Sequence, residues 1–269
     1  MVDYGKTLSG ALRFCVEPKR WLPLFALDVI FATGVFSVFL ANSSAMMDII
    51  TGAIEGFAIA QSIVSVVFLL FGMFVVWVLV RLFVAGALIH QSVKPKEYRK
   101  SCMVSKQRFL TMLAISVIVG LLTTIAGFIP YIGWLVSIVI GLMFFFSLPA
   151  AVVDKLAFEK ALKGSYRLFR DRFTEVLLSW LLIVIISGLI GMIFMIPVFM
   201  LAFNLLVPQL MAMSETATGM EFISVMMDAG WSLLPGIVVA IAGMAISTVF
   251  SVYAQTNFYV QIRKKKGIL

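Results

Sequence analysis

Two ionisable residues, Asp28 and Arg81, stand inside long apolar stretches of this chain. A charge held in hydrocarbon is costly, so each needs a partner or marks the route of an ion or an anionic substrate. Asp28 follows Trp21 by seven residues and Arg81 precedes Ile89 by eight. At 1.5 Å per helical residue, both then sit roughly 10 to 12 Å inside the same boundary, on adjacent antiparallel helices. Three readings are open. The two form a compensating pair that fixes the register of the helices; one of them meets a charged solute; or Arg81 snorkels to the surface beside Trp77 in the interfacial belt.

Other chemistry finds little support in the residues. The single histidine, His90, has no companion at ligand spacing, and Cys15 and Cys102 are too few and too far apart for a disulfide scaffold or zinc site. No nucleophile, base and acid can be assembled without a histidine in a span, and no glycine-rich phosphate loop is present. We therefore expect no enzyme and assign no catalytic, cofactor-binding or metal-binding residue. Lipid-modifying chemistry at the membrane surface is the form that enzymatic activity would have to take.

Milder polar groups are expected to join helices: Asn204, and Gln255 with Asn257. Small residues recur at four-residue intervals, as in Ser116, Gly120 and Thr124, in Ser187 and Gly191, and in Gly243, Ser247 and Ser251. They let helix backbones approach closely within the chain, with a homodimer through the last helix as the alternative. The 16 methionines and 24 phenylalanines read as packing or lipid-facing residues rather than a cofactor box.

The elements that must position these residues are membrane helices. Hydrophobic residues make up 62% of the chain and charged ones 13%, far outside soluble usage. A helix needs about 20 apolar residues to cross the hydrocarbon. Six stretches qualify, over about residues 21–41, 59–89, 109–128, 131–153, 176–207 and 231–260. The first is too long for a cleaved signal and follows a mostly polar stretch, so it is read as a retained helix. The expected fold is an all-α bundle of six transmembrane helices in three hairpins, forming a single membrane domain over 1–269. No connection is long enough for a separate soluble domain.

Orientation follows from the basic residues. Of 21 lysines and arginines, 20 lie in the N-terminal stretch, the connections after the second and fourth spans, and the tail; the last is Arg81. The remaining connections carry Asp48, Glu55, Glu215, Glu221 and Asp228. Both termini are therefore expected in the cytoplasm, with the protein in the cytoplasmic membrane. The net charge of +8 lies in short strips beside the membrane, which suits anionic lipid headgroups and makes nucleic acid an unsuitable partner. Both cysteines fall on the reducing side. Asn42-Ser43-Ser44 fits a glycosylation sequon, with nothing else pointing to secretion.

A basic and aromatic element recurs as Lys19-Arg20-Trp21, Lys106-Gln107-Arg108-Phe109 and Arg170-Asp171-Arg172-Phe173. At one constant offset, Lys6, Leu8, Gly10 and Arg13 reappear as Lys160, Leu162, Gly164 and Arg167. Either an internal duplication or shared amphipathic constraints would produce that match. Across Phe158 to Phe173, Ala161, Leu162, Ser165, Leu168 and Phe169 share one face, while Lys160, Lys163, Arg167 and Arg170 lie largely opposite and Arg172 closes the segment. The pattern predicts an interfacial helix with its apolar face among headgroups, and a second over the N-terminal stretch. Docking of a cytoplasmic partner is the other use of such a helix.

The run Pro149-Ala150-Ala151-Val152-Val153, followed by Phe158-Glu159-Lys160-Ala161-Leu162-Lys163-Gly164-Ser165-Tyr166-Arg167-Leu168-Phe169, resembles the central signature of a diffuse group of prokaryotic six-helix membrane proteins. That group includes uncharacterised archaeal proteins and the membrane domain of some bacterial glycerophosphodiester phosphodiesterases. The tail Tyr253-Ala254-Gln255-Thr256-Asn257-Phe258-Tyr259 is similar to how those chains end. The resemblance implies a six-helix cytoplasmic-membrane fold and no particular activity. Glu159 to Gly164 also resembles the helix by which permeases of ABC importers engage their ATPase, with the glycine one residue early and no Leu-Pro after it.

Two functions are consistent with these features. The first is a transport-related subunit, a permease or channel-like component working with a cytoplasmic ATPase or other partner through the Phe158 to Phe173 helix. The second is a structural membrane protein that organises lipid. A permease needs a polar cavity between its helices, whereas a scaffold is closed and dry.

Overall fold

The computed structural model describes residues 2–42, 57–212 and 219–264. Asp48, Glu55, Glu215, the sequon's Ser43 and Ser44, Thr218, Lys265 and Lys266 lie outside the described residues. Glu221 and Asp228 belong to a helix, and only its backbone is described there. Every regular element among the described residues is helical: α1 (Tyr4–Val16), α2 (Pro18–Ala41), α3 (Phe57–Val93), α4 (Tyr98–Gly127), α5 (Gly133–Met143), α6 (Ser147–Val153), α7 (Phe158–Asp171), α8 (Phe173–Ala212) and α9 (Gly219–Lys264). Six segments are long and apolar enough to cross a membrane: α2, α3, α4, α5 with α6, α8 and α9. The chain is an all-α polytopic membrane protein.

Local chemistry sets several boundaries. Asp3 caps α1 by accepting the Lys6 amide at 2.9 Å. The helix stops at Glu17 because the residue before a proline is forced into extended geometry, and Pro18 then opens α2, where its missing N–H is harmless. α4 begins at Tyr98 rather than Phe109, since Arg99, Lys100, Lys106 and Arg108 are good helix formers that lengthen the rod beyond its apolar part.

The fourth span is not one helix. It breaks over Phe144, Phe145 and Phe146 between α5 and α6. Pro149 lies in the first turn of α6, and its ring would clash with the carbonyl four residues back, that of Phe145. The freed backbone is satisfied from other helices: Ser165 Oγ accepts the Phe146 amide at 3.1 Å and donates to Met143 O at 2.9 Å, while Gln255 Nε2 donates to Phe145 O.

Neighbouring spans are stitched by close approaches. A Cβ added at Gly243 would collide with Phe194, and Ser247 Oγ donates to Ser187 O at 2.8 Å, joining α9 to α8. Ser251 turns back to Ser247 O at 2.9 Å. The Gly243 and Ser247 stripe is thus occupied by α8, so a homodimer through α9 would need another face. Ser105 Oγ donates to Phe83 O at 2.6 Å, and Gly86 faces Met112, which packs α4 on α3. Ser137 Oγ donates to Thr123 O at 3.0 Å between α5 and α4.

Among the described residues, the core lies at the end rich in lysine and arginine, the basic end. Leu24, Ile115, Phe146, Phe250, Phe258 and Ile262 are wholly or almost wholly buried there. Toward the other end, Phe68, Phe71, Phe199 and Phe203 are exposed, on the surface that meets lipid in a membrane protein.

The two amphipathic helices pack against the bundle. Both turn their apolar faces onto their own chain. In α1, Thr7, Ala11 and Phe14 are buried; in α7, Ala161, Ser165 and Leu168. These are the same three registers under the offset that relates Lys6 to Lys160. α1 lies on the end of α9, where Phe14 meets the Tyr253 ring with centroids 4.5 Å apart, and Gln261 accepts the Asp3 amide and donates to Thr7 Oγ1.

Candidate functional site

α2 brings Asp28 and α3 brings Trp77 and Arg81 to one point inside the bundle. Asp28 Oδ1 accepts Trp77 Nε1 at 2.8 Å and Arg81 Nη1 at 3.2 Å. Arg81 Nη2 reaches α9, donating to Thr248 Oγ1 at 3.1 Å, and the guanidinium carbon lies 4.8 Å from the Trp77 ring centroid. Trp77 and Arg81 are one helical turn apart, so a single face of α3 supplies both donors and the cation–π contact. Asp28 is 8% exposed at its side chain and Arg81 29%. Asp28 Oδ2 is buried with no hydrogen-bond partner among the described residues. The node is neutral overall and ties three helices. Of its members, Thr248 had no signal beyond its place beside the Ser247 stripe.

The expected amide bridges are corrected in part. Asn204 donates to Met200 O at 2.8 Å and Asn257 to Tyr253 O at 3.0 Å, each one turn back in its own helix. An amide in a span can satisfy itself on the preceding turn as readily as on a neighbour. Gln255 does cross between helices, to the broken span.

On α7, Lys160, Lys163, Arg167 and Arg170 are exposed. Arg170 Nε pairs with Asp171 at 3.4 Å, and Arg172 Nη1 with Glu175 at 3.4 Å. Arg167 borders a cleft of about 270 Å³ with Asp154, Tyr259 and Arg263. There the Asp154 carboxylate accepts the Tyr259 hydroxyl and pairs with Arg263, fastening the loop after α6 to the end of α9. Arg20, almost fully buried, pairs with Glu17 at 2.7 Å and lies 3.5 Å from the Phe14 ring centroid.

Outside the spans, burial pushes the Cys15 thiol above its ordinary value, against a weaker opposing effect of its own backbone hydrogen bond. Burial and, secondarily, the Glu175 charge raise the Tyr4 phenol.

Two grooves run between spans. One, of about 460 Å³, lies between α2 and α3 and is walled by Leu27, Ile30, Phe31, Phe68, Met73 and Val76 among others. The second, of about 630 Å³, lies between α2 and α9; its hydroxyls are Thr33 and Ser37, and Ser37 donates to Thr33 O at 2.8 Å. No family model, curated protein or solved structure matches this chain.

Proposed function

We propose that this protein is a lipid-organising membrane scaffold of the cytoplasmic membrane, with its basic end in the cytoplasm, rather than a conduit for polar solutes. The observation that carries the reading is the chemistry of the grooves between α2 and α3 and between α2 and α9: their walls are almost wholly carbon. A solute path must replace water of hydration with polar groups, whereas an acyl chain needs only apolar surface. The orientation rests on the segregation of lysine and arginine to one end.

The broken fourth span favours the other reading, a transport-related subunit, because interrupted helices line the binding sites of many transporters. Here, however, the freed groups of Met143, Phe145 and Phe146 already hold Ser165 and Gln255. That leaves them committed to the fold.

The test is reconstitution of the full chain in vesicles, together with mass spectrometry of lipid retained after gentle detergent extraction. Retained phospholipid and no flux of small ions above protein-free vesicles are expected. Solute flux abolished by Gln255→Ala would overturn the scaffold reading in favour of transport. A cytoplasm-dependent fluorescent reporter should light at both termini and stay dark near Thr218; the reverse pattern would invert the orientation.

A further inference from the structure

A cavity of about 320 Å³ opens at the basic end where α3 stops, α4 starts and the α6–α7 connection passes. Lys94, Lys100, Lys155, Glu97, Gln107 and His90 form its polar part, and Val93, Val104, Val152 and Val153 contribute apolar lining. Three ammonium groups stand against one carboxylate. Glu97 lies 3.9 Å from Lys94 Nζ and 3.5 Å from Lys100 Nζ, so it is shared, and Lys155 makes no ion pair among the described residues.

The backbone puts Lys155 there at a cost. Its φ is 54°, a left-handed conformation that a long side chain rarely adopts. The preceding residue explains how it is held: Asp154 is tied to Tyr259 and Arg263 in the cleft on the other side. Adjacent residues therefore serve two different cavities, Asp154 closing one and Lys155 charging the other.

His90 and the start of α4 border the same cavity. Ser101 commits its proton to Glu97 O at 2.7 Å, so at the 2.9 Å contact with His90 Nδ1 the serine accepts and the ring donates. Glu97 is the N-cap of α4 without capping it through its side chain, so the positive end of the helix dipole faces the same region.

We propose that this cavity binds the phosphate headgroup of an anionic phospholipid from the adjacent leaflet. The excess of cations selects the phosphate, as basic pockets at membrane boundaries do. The valines that line the cavity beside its charged groups select a molecule with an apolar part, a lipid rather than a free phosphate. The proposal rests on the lipid-organising reading for the source of its ligand, and on the cavity itself for the site.

The purified full chain in detergent is titrated with short-chain phosphatidylglycerol, phosphatidylcholine and glycerol phosphate, with binding read by native mass spectrometry. Phosphatidylglycerol should bind most tightly. Lys100→Ala and Lys155→Ala should each weaken it about fivefold, and Lys160→Ala on the exposed face of α7 should leave it unchanged. Glu97→Gln frees two lysines and should strengthen binding, a gain that misfolding cannot imitate. Equal affinity for phosphatidylcholine, unchanged binding in both lysine variants, or glycerol phosphate bound as tightly as the lipid would each overturn the assignment. If the lysine variants behave as stated while vesicles show solute flux, the site stands and the scaffold reading falls.

Discussion

Ser165 on α7 spans the gap in the fourth membrane segment, accepting the Phe146 amide at 3.1 Å and donating to the Met143 carbonyl at 2.9 Å. Backbone groups away from water must find partners within the protein. A short helix of basic outer face, Phe158–Asp171, thereby becomes part of the packed interior, and the break needs it as much as it needs Pro149.

Ser165→Ala strands the Phe146 amide and the Met143 carbonyl and should cost about 1 to 3 kcal/mol of stability. Thermal unfolding in detergent reads the loss. Tyr166→Ala next to it, on the exposed side, should change stability by less than about 0.5 kcal/mol. Equal effects of the two substitutions would sink the assignment of Ser165 to the gap.

The charged node responds unequally to removal of its members. Arg81→Met leaves the buried Asp28 carboxylate with only Trp77 and should cost roughly 3 to 5 kcal/mol. Asp28→Asn keeps an acceptor for Trp77, and the less buried Arg81 relaxes toward the boundary, so the loss should be roughly 1 kcal/mol. The double variant Arg81→Met with Asp28→Asn should be more stable than Arg81→Met alone. If the two changes simply add, the pair is not coupled.

At Gly243 the space for a side chain is already taken by Phe194. Gly243→Ala should therefore destabilise by about 1 to 3 kcal/mol, and Phe194→Ala should recover part of that. Gly120→Ala, with nothing within 4 Å of its added Cβ, should instead gain about 0.5 to 1 kcal/mol from helix propensity. A chemical denaturation series on the three variants distinguishes clash from propensity.

The two thiols should differ in reactivity. Cys102 is exposed and Cys15 buried, so a maleimide should label Cys102 at neutral pH while Cys15, its thiol pushed up by burial, reacts only slowly. A folded-state value raised above the unfolded one favours the neutral form. Its contribution to α1 docking is present below about pH 9, the ordinary thiol value, and is lost as pH rises past it, with Tyr4 following near its ordinary 10.0. Melting temperature should fall across that window, and Cys15→Ala should flatten the first part. Rapid labelling of Cys15 at neutral pH would show that α1 does not stay docked.

The six spans were legible because a run of some 20 apolar residues has few other uses. Asp28 and Arg81 stood out by the same contrast, and their depths from Trp21 and Ile89 brought them level. The fate of the amphipathic helices was not legible: an apolar face reads alike whether it meets lipid or a neighbouring helix, and only the fold assigns Ala11 and Ser165 to the interior. The break at Phe144 to Phe146 did have a signal, Pro149 four residues after Phe145, masked by the unbroken apolar run around it. The inward-facing Gln255 and the self-satisfied Asn257 carry the same amide two positions apart, and only helix rotation separates them. Lys155 gave no sign of its left-handed turn, since its cause lies far along the chain at Tyr259 and Arg263.

The buried side chains crowd the basic end, while Phe68, Phe71, Phe199 and Phe203 lie exposed farther along their helices. When the surrounding bilayer thins, long helices meet the mismatch by tilting, at a cost of only fractions of a kcal/mol per Å. The described parts of α3 and α8 around Phe68, Phe71, Phe199 and Phe203 are where that tilt is expected, with the spacing of Leu24, Phe146 and Phe258 held.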